Sequence, residues 1–103
     1  MAKFVLAYSG GSMPETEEAG AAVMAAWGAW LGGLGAAVVD GGNPFGASAS
    51  VAADGSVSEG GSSHINGYSI VTADSLDAAT TLVKDCPALS AGGTVDVYET
   101  IDM

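Results

Sequence analysis

Only a few side chains in this 103-residue chain could move a proton near neutral pH. His64 is the sole histidine, and so the one side chain that titrates there unaided. It follows a Gly/Ser-rich stretch, "GGSSH", and precedes an apolar run. Asp40 ends the apolar segment "AAVVD" and is followed by "GGNPFG". A carboxylate at the rim of an apolar cavity can act as a general base, or can orient an imidazole that does. With His64 as base and Asp40 (or Asp54) as its orienting partner, the pair would suit cofactor-independent lyase or isomerase chemistry. The plainer alternatives are a strand-end acid accepting backbone N–H groups in "DGGN" and an exposed loop histidine.

Other chemistries have less to draw on. Cys86 is the only cysteine, so an intrachain disulfide and a cysteine-based zinc site are both excluded. It reads as a small buried hydrophobe and fits a reducing, cytoplasmic setting. With one His and no metal-ligand spacing, no metal or cofactor is expected. The junction "YSGGSMPE" has glycines before a helix, but it lacks GxGxxG spacing and a GK[ST] ending, and three glutamates follow. Ser9 and Ser12 have no G-x-S-x-G elbow around them.

Ligand-binding candidates are apolar rings with polar tips, Tyr8 and Tyr68, together with Asn43 in the turn after Asp40. They suit a pocket if they face away from the helices. Trp27 and Trp30 share one helix face, where they either line a pocket or anchor the helix to a sheet.

Charge narrows the partners. Two lysines against twelve acids give a net charge of −10, so no basic patch exists for nucleic acid or an anionic membrane surface. Residues 19–39 carry no charge, long enough to span a bilayer, and Gly28 and Gly32 form a GxxxG pair. The run is mostly Ala and Gly, "GGLG" interrupts it, and its flanks are acidic, so a buried helix followed by a buried strand is expected instead. "FVLAY" after Lys3 is too short for a signal-peptide core.

The elements that would position these residues follow from periodicity. "KFVLAYS" and "AAVVD" read as strands apolar on both faces. Between them, Val23, Trp27, Trp30, Leu31 and Leu34 recur at helical spacing, predicting a helix over about residues 14–33 with Pro14 in its first turn. "ASVAADGSVSE" has a hairpin signal at Asp54-Gly55, and "INGYSIVTA" is a further strand. "DSLDAATTLVKD" is a helix with Leu76, Ala79, Leu82 and Val83 on one face, stopped by Pro87. "TVDVYETI", with Val95, Val97 and Ile101 alternating, is the last strand.

The order implies one α+β domain: a ferredoxin-like βαββαβ subunit with an inserted hairpin and an antiparallel sheet. Two helices cover one sheet face. Val5, Ala7, Ala37, Val39, Tyr68 and Ile70 make the other face apolar as well, and a second copy of the chain is the simplest cover. A homodimer is expected.

"DGSVSE…INGYSIV", "PETEE…MAAWGAWLGGLGAAVVDGGNPFG" and "SLDAATTLVKDCPALSAGGTVDVYE" together resemble the DGPF-type branch of the YCII-related family over nearly the whole chain. The resemblance implies a dimeric α/β barrel with a cavity between the two sheets. One branch has a suggested acid–base role for a His on the first helix and an Asp near the second strand. Here the first helix has no His, and the tetrapeptide reads Asp54-Gly55-Ser56-Val57. Only Asp40 falls near a matching position.

Two functions remain open. One is a homodimeric module binding a small, largely apolar molecule in the cavity between its sheets. The other is the acid–base enzyme using His64 and Asp40.

Overall fold

A computed structural model describes residues 2–61 and 64–103. Ser62 and Ser63, within the expected loop "GGSSH", lie outside the described residues. The chain runs β1 (Ala2–Gly10), α1 (Glu17–Leu34), a 3-10 turn (Gly35–Ala37), β2 (Val38–Asp40), β3 (Ala49–Val51), β4 (Val57–Glu59), β5 (Ile65–Ala73), α2 (Leu76–Val83), α3 (Pro87–Ser90) and β6 (Gly93–Glu99). Four strands form an antiparallel sheet in the order β2-β5-β1-β6, and β3 and β4 form a separate two-stranded sheet. This α+β arrangement is compatible with a ferredoxin-like fold.

The core lies on one face of the sheet. Phe4, Leu6 and Tyr8 of β1 stand beside Val71, Ser69 and Gly67 of β5 in register, all six buried. Val95 and Val97 of β6 extend this face. Trp30, Leu31 and Leu34 from α1 and Ala79 and Val83 from α2 pack onto it. Cys86 is buried between α2 and α3, and burial pushes its thiol pKa up.

Local chemistry sets the ends of the elements. Thr16 Oγ1 accepts the Ala19 N–H at 3.0 Å, so α1 starts at Glu17 and Pro14 lies before its first turn, outside the helix. Gly35 ends α1 at φ 57°, and the 3-10 turn that follows delays β2 to Val38. Ser75 caps α2 by accepting the Ala78 N–H at 3.1 Å. α2 ends before Pro87, which then opens the one-turn α3 from the N1 position. Both the N–H and the hydroxyl of Thr100 donate to the Lys3 carbonyl at 2.9 Å, closing the β6 ladder. Ile101 therefore falls outside the strand and is 84% exposed.

Two expectations about burial are corrected. α1 is not a buried helix: Trp30 is its one buried residue, and Ala, Gly and Met face outward along most of its length. By length and composition the segment Glu17–Ala37 could cross a membrane, but α1 packs through a narrow stripe on the sheet. The strand after it is not buried either, with Val39 48% exposed. Of the two candidate tyrosines, Tyr8 lies on the helix-covered face, because its β5 partner is Gly67, whereas Tyr68 pairs with Ala7 on the opposite face. Among the described residues, the helices pack on the Phe4, Leu6 and Tyr8 face and not on that opposite face, which carries Val5, Ile70 and Tyr98.

The asymmetry of the core predicts unequal sensitivity to truncation. Leu6→Ala is expected to cost about 2–5 kcal/mol, a large share of a small domain's stability. Val51→Ala, in the exposed hairpin, is expected to change stability by less than ~0.5 kcal/mol. Urea unfolding of both variants checks the contrast.

Candidate functional site

A half-open apolar space lies between the N-terminal half of α1, the start of β5 and the loop after β2. It is a cavity of about 370 Å³, lined by Val23, Met24 and Trp27 from α1, Gly41–Pro44 from the loop, Asn66–Ser69 from β5, and Tyr8. Its polar walls and its aromatic wall have separate origins.

The loop wall is a continuation of β2 in irregular form. After Asp40 the chain stays beside β5: Ser69 Oγ donates to the Gly41 carbonyl at 2.7 Å, Phe45 N–H donates to the Asn66 carbonyl at 2.7 Å, and Pro44 bridges Gly67. The approach is close enough to demand glycine. At Gly42, with φ 79°, a Cβ would run into the Tyr68 carbonyl, and at Gly67 it would press on the Asn43 carbonyl and Pro44. "DGGNPF" is thus a tight edge segment that forms one side of a cavity.

The aromatic wall comes from Tyr8 and Trp27, whose rings meet edge to face at 4.9 Å and 75°. Trp27 in turn meets Trp30 at 5.7 Å and 80°. Trp30 donates its indole N–H to the Leu82 carbonyl at 3.1 Å, tying α1 to α2. The two tryptophans therefore divide their work, Trp30 as anchor and Trp27 as cavity wall.

A chain of hydrogen bonds joins the walls. The Tyr8 hydroxyl donates to Ser69 Oγ at 2.7 Å, and Ser69 in turn donates its hydroxyl hydrogen bond to the Gly41 carbonyl. Its direction is forced, because a carbonyl can only accept. Ser69 is 1% exposed, and the bonds satisfy it fully. Burial pushes the Tyr8 pKa up to about 12, against the pull of Ser69, so Tyr8 is neutral at physiological pH.

The candidates from the sequence fall in different places. Tyr8, Tyr68 and Asn43 line this cavity together. It lies within one subunit, between helix and sheet. Asp40 is not among the lining residues; it accepts the Gly42 N–H at 2.8 Å and the Tyr68 hydroxyl at 3.3 Å. Its carboxylate thus serves as a turn cap and a tyrosine tether. His64, at φ 53°, lines a second depression of about 390 Å³ with Phe45, Ser48, Ser50, Gly60, Gly61 and Ile65. Phe45, stacked on Tyr68 at 5.7 Å, borders that depression, and no hydrogen bond links His64 to Asp40. Asp54 is held by Ser56, whose hydroxyl and N–H lower its pKa from within the exposed hairpin turn.

Ser69 and Asn66 are contributors that the sequence reading passed over. The signal was available in "NGYSIV", where a serine and an asparagine interrupt an otherwise apolar strand. Among the described residues, no group of three or more His, Cys, Asp and Glu is placed to hold a metal ion.

The buried phenol makes stability depend on alkaline pH. Its folded pKa lies above the ordinary value of 10.0, so its contribution is complete below pH 10 and is lost as pH rises towards about 12. Urea midpoints measured between pH 9 and 12 should fall for the wild type, and Tyr8→Phe should remove that part of the decline.

Comparison with known proteins finds no matching family model, no matching curated protein and no matching solved structure.

Proposed function

We propose that the protein is a small-molecule binding module whose ligand is a compact, largely apolar molecule held in the cavity beneath α1. The observation that carries this reading is the cavity itself: about 370 Å³, walled by Trp27, Tyr8, Val23 and Met24, with a few oriented polar groups at one side. Small-ligand sites have this composition and lie at this end of the size range. Met24, 73% exposed, and Val23 stand at the rim, where flexible apolar side chains can close over a guest.

The proposal includes a homodimer. The uncovered sheet face presents Val5, Ile70 and Tyr98, the last 58% exposed, and two-sided apolar strands call for a cover. A second copy suits this face by charge. Lys3 and Asp96 both lie on it, opposite Thr72 and Ala7, so a two-fold arrangement can set Lys3 of one protomer against the partner's Asp96. In this arrangement each subunit keeps its own ligand cavity, and the barrel formed by the two sheets is the interface.

The acid–base alternative draws less support. Asp40 is engaged with Gly42 and Tyr68, and His64 lines a different depression.

Native mass spectrometry with a panel of small aromatic compounds tests the reading. Dimers carrying up to one compound per subunit are expected, and Trp27→Ala should weaken binding about tenfold, equivalent to ~1.4 kcal/mol. Bare dimers across the whole panel would contradict the binding function, and liganded monomers would contradict the dimer.

A further inference from the structure

The polar groups around the cavity are oriented, and their orientation selects a ligand. Ser69 donates to a carbonyl, so Tyr8 must donate to Ser69, and the Tyr8 oxygen keeps lone pairs but has no proton left to offer. Asn66 follows the same logic. Its Nδ2 donates to the Gly10 carbonyl at 2.9 Å, which fixes the amide and leaves Oδ1 as its acceptor end. The Tyr8 and Ser69 protons both point to protein acceptors, while Asn66 keeps one N–H beside its acceptor oxygen.

Charge and aromatic geometry act in the same direction. The chain as a whole carries −10 with only two lysines. An anion brought here would meet acceptor atoms and a negative potential. A cation would meet two aromatic rings among the lining side chains, Tyr8 and Trp27, set at 75° to one another. Ring faces attract organic ammonium groups.

We infer that the ligand of the cavity beneath α1 is an organic cation, an aryl- or alkylammonium whose N–H groups donate to Tyr8 Oη and Asn66 Oδ1 while its apolar body packs on Trp27. This rests on the binding function proposed above and adds the chemical class of the ligand. The discrimination is set by the hydrogen-bond chain: reversing it would require a proton donor at the Gly41 carbonyl, which a peptide oxygen cannot be.

The test uses three probes of nearly equal size, 2-phenylethylammonium, 2-phenylethanol and phenylacetate. Titrations of the intact protein are run at pH 7 in ~0.5 M salt, which screens the general attraction of cations to an acidic surface. The ammonium should bind at least about tenfold tighter than the carboxylate and about threefold tighter than the alcohol, the range expected for a partly desolvated cation beside aromatic rings. In Tyr8→Phe the ammonium should lose most of its advantage over the alcohol. Equal or tighter binding of phenylacetate or phenylethanol by the wild type would overturn the cation assignment and leave the binding function standing. An undiminished ammonium preference in Tyr8→Phe would overturn the role given to Tyr8. Binding of none of the three would remove the binding function and this inference together. The wild-type ranking needs no variant, so it decides the matter even if Tyr8→Phe folds poorly.

Discussion

Ser69 is the one buried polar side chain among the described residues, and much of the site depends on how it is satisfied. A hydroxyl under the sheet without partners would cost about 1–3 kcal/mol. Here it accepts a hydrogen bond from Tyr8 and donates one to the Gly41 carbonyl, so a single atom connects β1, β5 and the loop after β2. The loop must approach β5 closely to present that carbonyl, which explains why glycine occupies position 42 and why the chain stays at the sheet edge beyond Asp40. Tyr8 must in turn point to the helix side, where its ring meets Trp27. The cavity is the space that these constraints leave under the first turns of α1.

The same arrangement divides α1 into two working halves. Its C-terminal half is anchored by Trp30, Leu31 and Leu34, with the Trp30 indole bonded to α2. Its N-terminal half overhangs the cavity and touches little else, leaving Val23 and Met24 substantially exposed. An overhang held at one end is the kind of element that can admit a guest without disturbing the core. The sheet has a comparable asymmetry, packed on one face by helices and bare of them on the other.

Much of this architecture was legible in the sequence. "INGYSIVTA" matches β5 residue for residue, and Ser75 marks the start of α2 as a capping residue should. The order of elements sufficed for the antiparallel α+β sheet. What escaped was direction. "KFVLAYS" is apolar on both faces, so a period of two could not say whether Tyr8 or its neighbours face the helices; the pairing of Tyr8 with Gly67 decides it. An uncharged run of Ala and Gly suggested a buried helix because composition does not distinguish a helix packed all round from one packed along a stripe. Tyr8, Asn43 and Tyr68 were identifiable as pocket residues by type. Ser69, which orients them, was hidden inside a strand where serine is usually incidental.

The central claim is that the space beneath α1 is a binding cavity, and the two tryptophans permit a direct test. Trp27 lines the cavity, whereas the Trp30 indole N–H is occupied by the Leu82 carbonyl. In a ¹⁵N-labelled sample titrated with 2-phenylethylammonium, the Trp27 indole signal should shift and saturate while the Trp30 indole signal stays nearly fixed. Two indole signals that both remain unmoved, or that shift together without saturating, would contradict the account.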